Sequence, residues 1–277
     1  MSTLYLVATP IGNLADITLR AIETLKSVTL IAAEDTRITQ KLLTHYQIHN
    51  RMISLYDQNE ARRIPLVLEA LQQGDVALVS DSGTPALNDP GFKLVNAAIR
   101  AGHRVSPIPG PCAPIAALVA SGLPTDRFLY LGFLPRKSTE LKQVLEAISS
   151  LPYTLLALET PHRLAKSLEL LSQVLGDRQI VIAREMTKLH EEFWRGTLSQ
   201  AVAVFSSSEQ RGEITLVIEG ASQPPQKWSE DHLLQAIQEA LEKGLGTKEL
   251  AQELAKVSGW QSKEIYQKAL SLKPRQF

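Results

Sequence analysis

Val76-Ala77-Leu78-Val79-Ser80-Asp81-Ser82-Gly83-Thr84-Pro85, continuing through Ala86-Leu87-Asn88 to Asp89-Pro90-Gly91, is the stretch on which the reading of this chain turns. Val76–Ser80 opens on an unbroken apolar run, short and β-branched, which reads as a strand buried on both faces rather than one with a wet side. Glycine then allows close main-chain approach, and proline fixes φ and stiffens the loop. The same order recurs twice. Leu4–Ala8 runs into Thr9-Pro10-Ile11-Gly12-Asn13, and Arg104–Ile108 runs into Pro109-Gly110-Pro111-Cys112-Ala113.

Further apolar runs at Val28–Ala33 and Met52–Leu55, with helical patterns at Thr18–Lys26, Arg63–Gln72 and Lys93–Ala101, complete a strand–helix alternation. That alternation predicts a parallel sheet covered by helices on both faces. In a parallel sheet the three Gly/Pro loops all leave one carboxyl edge, where open α/β sheets bind ligands. Any one such loop reads equally well as a plain strand terminator; three on one edge predict a rigid pocket made largely of main chain. Neither G-x-G-x-x-G after a strand nor G-x-x-x-x-G-K-[ST] occurs, so a phosphate cradle is unsupported. A stiff loop beside a carboxylate suits a neutral or cationic ligand, and Asp81 is placed to hold an amino or ribose group.

Ala113–Ser121 reads as a helix closing at Gly122, and Gly122-Leu123-Pro124-Thr125 as a hinge. A second series follows, with strands expected at Phe128–Leu131, Thr154–Glu159, Ile180–Arg184, Glu192–Arg195 and Ile214–Ile218. Helices are expected at Thr139–Ser149, Arg163–Leu175 and Leu198–Phe205. The character changes at Gln223-Pro224-Pro225. Ser229–Lys243, Lys248–Val257 and Ser262–Leu270 read as three short amphipathic helices resembling a helix-turn-helix unit. From Lys248 on, Lys248, Lys256, Lys263, Lys268, Lys273 and Arg275 stand against Glu249, Glu253 and Glu264. A solvated helical cap explains that surplus as well as a nucleic-acid surface does. The expected organisation is an α/β domain over 1–122, a second α/β domain over 123–223 with a ligand cleft between them, and a helical domain over 224–277.

Composition narrows the function classes. Twenty-nine Lys+Arg balance twenty-nine Asp+Glu, so any basic surface for a polynucleotide must be local. A single cysteine, Cys112, excludes an internal disulfide framework, and with six histidines at no ligand spacing no metal is expected. No apolar run approaches the roughly 20 residues of a membrane span, and no basic leader precedes the first strand, so a cytoplasmic protein is expected.

The ordered motifs carry more than composition. Ala8-Thr9-Pro10-Ile11-Gly12-Asn13-Leu14, Ala32-Ala33-Glu34-Asp35-Thr36-Arg37, Val79–Pro85 and Pro109-Gly110-Pro111-Cys112-Ala113 occur in sequence. Glu159-Thr160-Pro161-His162-Arg163, Ala183-Arg184-Glu185-Met186-Thr187-Lys188 and Gly212-Glu213 follow. Together, over roughly 4–220, they resemble the tetrapyrrole-methylase superfamily, and within it the branch that methylates small-subunit ribosomal RNA. The Thr-Pro-Ile-Gly-Asn loop departs from the Gly-rich first loop of the tetrapyrrole enzymes, which favours the RNA branch. The resemblance implies class III methyltransferase domains with S-adenosylmethionine held in the cleft, a homodimer, and transfer to the ribose 2′-hydroxyl of a cytidine in small-subunit (16S) rRNA, free or in the 30S subunit. It places cofactor contacts at Pro10, Asp81, Thr84, Cys112 and Ala113, and near Leu158, Ala183 and Gly212. A tetrapyrrole C-methyltransferase and a non-catalytic ribosome-assembly factor are the competing readings.

Methyl transfer from a sulfonium needs alignment above all, and a weak hydroxyl nucleophile benefits from a nearby base. Glu34, Asp35 and Glu185 are the candidate bases, and Arg37, Arg163, Arg184 and Lys188 the candidate RNA contacts, with Arg62, Arg63, Arg136 and Lys137 as further basic positions. Structural ion pairs formed by Glu34–Arg37 and Arg184–Glu185 are the competing explanation. Cys112 reads as a small residue beside the ligand, since no partner marks it as a nucleophile.

Overall fold

A computed structural model describes residues 2–206, 212–222 and 227–272. The expected linker Gln223-Pro224-Pro225 and the basic residues Lys273 and Arg275 lie outside these. The chain divides into two compact units, Met1–Ala221 and Ser222–Phe277.

The first unit opens with β1 (Thr3–Val7), α1 (Leu19–Ser27), β2 (Leu30–Ala33), α2 (Thr36–His45), β3 (Met52–Ser54), α3 (Glu60–Gln73), β4 (Val76–Val79), α4 (Phe92–Arg100), β5 (Arg104–Ile108) and α5 (Ala113–Ser121). Its sheet has the order β3-β2-β4-β1-β5, with every neighbouring pair parallel. The apolar runs alternate between two buried faces. Ile31, Ala33, Ala77 and Val79 pack on Leu25 of α1 and Leu42 of α2. Leu30, Ala32, Val76 and Leu78 pack on Val67 and Leu71 of α3 and Leu94 of α4. A strand buried on both faces has no polar positions to alternate with, which is why its sequence is uniformly apolar.

Helix α2 is not among the expected elements. Its Thr and Ile residues lower intrinsic helix propensity, so burial of Thr39, Leu42 and Leu43 decides it, with the Asp35 carboxylate accepting the Arg37 N–H at 2.8 Å as the cap. Helix α3 begins three residues before the expected Arg63. The buried carboxylate of its Glu60 accepts the main-chain N–H of Leu94 at 3.1 Å. It thereby caps α4, whose own N-cap, Gly91, has no side chain to do so.

The chain then forms β6 (Phe128–Phe133), α6 (Ser138–Ile148), β7 (Thr154–Glu159), α7 (Pro161–Leu175), β8 (Gln179–Arg184), β9 (Glu192–Thr197), α8 (Leu198–Phe205) and β10 (Ile214–Ile218). This second sheet has the order β6-β7-β10-β8-β9 and is mixed: β6 and β7 are parallel, while β10 runs antiparallel between β7 and β8. The amino end of β10 therefore meets the carboxyl ends of β7 and β8 at one edge. One face of the sheet packs on α6, α7 and α8 through Leu145, Leu168 and Phe205. The other face, Leu156, Val181, Ala183 and Val217, packs on Ala117 and Leu118 of α5 and on Ile11 of the first loop. That cluster joins the two halves of the unit.

In the second unit, α9 (Glu230–Glu242), α10 (Thr247–Ser258) and α11 (Ser262–Leu272) surround Leu233, Ile237, Leu250 and Ile265. Gly259 caps α10 at φ 68°, and the Trp260 indole, donating to the Trp228 carbonyl at 2.9 Å, anchors the short turn into α11.

Ile11 sits on a loop yet is 6% exposed, whereas Ile99 on α4 is 58% exposed. Ile11→Ala is expected to cost about 2–4 kcal/mol in urea denaturation and Ile99→Ala under about 0.5 kcal/mol. Equal costs would mean that the loop does not hold the halves together.

Candidate active site

The three Gly/Pro loops interlock at the carboxyl edge of the first sheet. Thr9 and Gly83 exchange main-chain hydrogen bonds of 2.8 and 3.1 Å, and the Thr84 hydroxyl donates to the Pro111 carbonyl at 3.1 Å. The ends of β2 and β4 are cross-tied as well. The Asp81 N–H donates to Glu34 Oε2 at 3.2 Å, and the Asp35 N–H donates to Asp81 Oδ1 at 2.9 Å. Across from them stands the loop after β8. A Cβ on Gly12 would lie 2.6 Å from Lys188 Cγ and 2.9 Å from the Met186 carbonyl, so only glycine lets the first loop come this close. Glu185 and Thr187 both hold positive φ, 50° and 65°, as do Ala86 and Asn88 at 66° in the loop after β4. Non-glycine residues in that region are sustained only by surrounding structure and concentrate at functional sites.

Between these loops and the adjoining edge of the second sheet lies a cavity of about 540 Å³. That is the size of a pocket for one small molecule. Its lining includes Glu34, Asp81, Asp89, Glu159, Glu185 and Glu213, against Lys188 and His162. Two of the acids are committed. Buried Glu159 accepts the Ser167 hydroxyl and the Thr160 N–H, and pairs with Arg163 at 3.3 Å; Glu185 pairs with Lys188 at 2.9 Å. Glu34, Asp81, Asp89 and Glu213 enter no ion pair among the described residues. Burial pushes the Glu34 and Asp81 carboxyls above their ordinary range. Asp89 rises furthest, to about 7, chiefly by burial and then by the nearby charge of Glu34, although the Ser80 hydroxyl donates to it. Burial also lifts the Tyr130 hydroxyl to about 12. Unpaired carboxylates in a partly desolvated cavity produce a field that favours a cation.

Of the residues expected from the sequence, Glu34, Glu185, Asp81, Thr84, Cys112, Ala113, Leu158, Gly212 and Lys188 line the cavity. The others lie elsewhere. Pro10 is beside the lining residue Ile11, and Ala183 points into the core cluster with Val181 and Val217. Asp35 accepts from exposed Arg37 at 3.0 Å, which holds its carboxyl down at about 2. The pairs that form are thus Asp35–Arg37, Arg184–Glu192 and Glu185–Lys188, not Glu34–Arg37 and Arg184–Glu185. The reason is local: Asp35 caps α2 directly over Arg37, while β9 runs beside β8 and sets Glu192 opposite Arg184. Arg163 turns inward, donating to the Leu134 and Pro135 carbonyls, each at 2.8 Å. Asp89, Tyr130 and Phe133 were not among the expected site residues. Asp-Pro-Gly reads as a turn, and the two aromatics face the cavity because β6 breaks register between Tyr130 and Phe133, which no local pattern announces.

Residues 3–202 match the family model described as tetrapyrrole (corrin/porphyrin) methylases. A Synechocystis sp. protein named ribosomal RNA small subunit methyltransferase I is 46% identical over 275 residues, 98% of this chain and 99% of that protein. Among solved structures, a diphthine synthase superposes with a TM-score of 0.63 at 18% identity, covering 79% of this chain and 90% of the other. A Thermus thermophilus uroporphyrin-III-C-methyltransferase gives 0.55 at 19% identity, covering 78% and 94%. At those identities the two structures speak to the fold alone.

The raised carboxyl of Asp89 has a consequence for stability. Between about pH 4 and pH 7 the folded protein keeps a proton that the unfolded chain has released, so stability falls as pH rises through that window. Asp89→Asn removes the penalty. It is expected to raise the Tm of the ligand-free protein at pH 8 by about 2–4 °C, as for about 1 kcal/mol, and to change it little at pH 4. An equal shift at both pH values in calorimetry would refute this account.

Proposed function

The chain belongs to the tetrapyrrole (corrin/porphyrin) methylase family, and from that premise we propose that it is an S-adenosylmethionine-dependent methyltransferase of small-subunit ribosomal RNA, acting on the ribose 2′-hydroxyl of a cytidine. The observation that carries the reading is the acid-rich cavity at the joined edges of the two sheets. Its chemistry fits the donor, a cation at sulfur with a protonated amino group, better than a phosphate, since six acids outnumber Lys188 and His162 in the lining. When bound, the donor supplies an electrophilic methyl group. The names of near full-length relatives support the ribosomal substrate, including an Escherichia coli O157:H7 protein 46% identical over 96% of this chain.

The residues divide the work by charge and position. Glu34 and Asp81, fixed by each other's loops, offset a cation. Thr84, Cys112, Ala113, Leu158 and Gly212 border the cavity where main-chain groups can orient a nucleoside, and Tyr130 and Phe133 add aromatic surface. Gly212 keeps φ at 81°, and a Cβ there would run into the Glu185 carboxylate, so this border cannot take a larger residue. The carboxylates favour a cationic donor over the neutral thioether left after transfer, which assists turnover.

RNA is met by local basic groups. Arg37 is 87% exposed at its side chain, beside the carboxyl edge, and Lys188 lies on the cavity wall. In the helical unit Lys248, Lys256 and Lys263 are exposed, which supports an RNA-binding role there. The working form is taken to be a cytoplasmic homodimer, which light scattering checks for association. No described helix is long and apolar enough to cross a membrane.

Incubation with methyl-labelled S-adenosylmethionine and small ribosomal subunits lacking the modification is expected to place label in one 2′-O-methylcytidine, resistant to alkaline hydrolysis. Binding should weaken steeply with salt. Label in a uroporphyrinogen-type substrate instead would indicate carbon methylation, and absence of cofactor binding in titration calorimetry would indicate a non-catalytic assembly factor.

A further inference from the structure

We infer that Asp89 is the general base that takes the proton from the acceptor hydroxyl. The inference rests on the proposed methyltransferase reading and names a residue within that site.

Leu87, Asn88 and Asp89 all line the cavity; Leu87 and Asn88 are exposed, whereas Asp89 is half-buried and so is more withdrawn from solvent than its two neighbours. Phe133, 52% exposed, lines the same mouth. A nucleotide arriving from solvent meets Phe133 and Asn88 first, surfaces suited to stacking and hydrogen bonding of an unpaired base. Its ribose hydroxyl is then brought to the depth of Asp89.

The other carboxylates of the lining are occupied or exposed. Glu159 is bound to Ser167, Thr160 and Arg163, and Glu185 to Lys188. Glu34 and Asp81 accept main-chain N–H groups that tie the strand ends together. Glu213 is exposed, so it lies on the solvent side of the lining. Asp89 combines partial burial with freedom from ion pairs and main-chain donors, the Ser80 hydroxyl alone donating to it among the described residues. The charged groups facing it are Glu34, Asp81 and Glu213, all acidic, and Tyr130 stands close enough for its hydroxyl to sense Asp89. Lys188 and His162 also line the cavity, and neither is an ion-pair partner of Asp89. An acid titrating near 7 is matched to base catalysis at neutral pH.

The loop is held in an unfavourable shape. Ala86 and Asn88 both sit at φ 66°, and Gly91 at 130°. The Asn88 amide fills the notch left by Gly132, and the Glu60 carboxylate anchors the first turn of α4 just beyond. This mounting places the carboxylate directly after two non-glycine residues at positive φ, and among the described residues no salt bridge holds it.

In the step itself the ribose O2′ forms a bond to the methyl carbon as the sulfur–methyl bond breaks. The bonding pair remains on sulfur as a neutral thioether, and the O2′ proton passes to the Asp89 carboxylate and from there to water.

The test compares the full-length protein with Asp89→Asn. Cofactor affinity by calorimetry should stay within about threefold, while single-turnover transfer to small subunits should fall on the order of 100- to 1,000-fold. The wild-type rate should rise with pH through a midpoint near 7 and level off above it, and the variant should lose that limb. Difference infrared titration of the ligand-free proteins should show a carboxyl titrating near 7 only in the wild type. Formate should partly restore transfer to Asp89→Ala, a readout that does not depend on the Asn variant folding well. Retention of more than about a tenth of the rate, persistence of the acid limb, or a loss confined to cofactor affinity would overturn the assignment. A wild type that methylates no small-subunit RNA would instead sink the functional reading, so the two failures are distinct.

Discussion

Ile11, Ala117 and Leu118 from the first half of the chain pack against Leu156, Val181, Ala183 and Val217 of the second sheet, and the cavity depends on that apolar contact. A parallel sheet with helices on both faces satisfies itself. The second sheet has α6, α7 and α8 on one face only, and its other face would be wet without α5. Covering it removes apolar area from water at roughly 25 cal/mol per Å², and draws the first loop down with α5. The two edges that line the cavity are thereby brought together, and Gly12 lets the loops after β1 and β8 touch.

Electrostatics works against that cohesion. Acids gathered in a half-buried cavity resist ionising together, as the upward shifts of Glu34, Asp81 and Asp89 record. In the ligand-free protein this repulsion lowers stability, and a cation held by Glu34 and Asp81 would relieve it. Other acids are paired locally: Asp35 with Arg37 beside the cavity, and Glu159 in its wall with Arg163, the Ser167 hydroxyl also donating to Glu159. The contrast separates carboxylates held in ion pairs from those left facing the cavity.

Much of this architecture is legible before folding is considered. Uniform apolar runs reveal β1, β2 and β4, and Gly/Pro loops after three strands mark the edge that borders the cavity. The helices around Leu25, Leu71 and Leu168 follow from their 3.6-residue spacing. Helix α2 escapes because its Thr and Ile residues are helical only through burial. Arg163 looks like a basic surface residue, and only the approach of the 134–135 main chain turns it inward. Asp89 lies within the most informative stretch of the sequence and still reads as a turn residue, since its environment comes from β2, β4 and β6 together.

The sequence by itself therefore determined the strand–helix order, the three stiff loops and the family, because those depend on periodicity and on the φ preferences of neighbouring residues. The tertiary structure alone decided that β10 runs antiparallel, so that Gly212 and Glu213 meet the ends of β7 and β8, and which acids are paired and which are left facing the cavity. Ion pairing and burial depend on distances between residues far apart in the chain, and those distances exist only once the apolar faces have found each other.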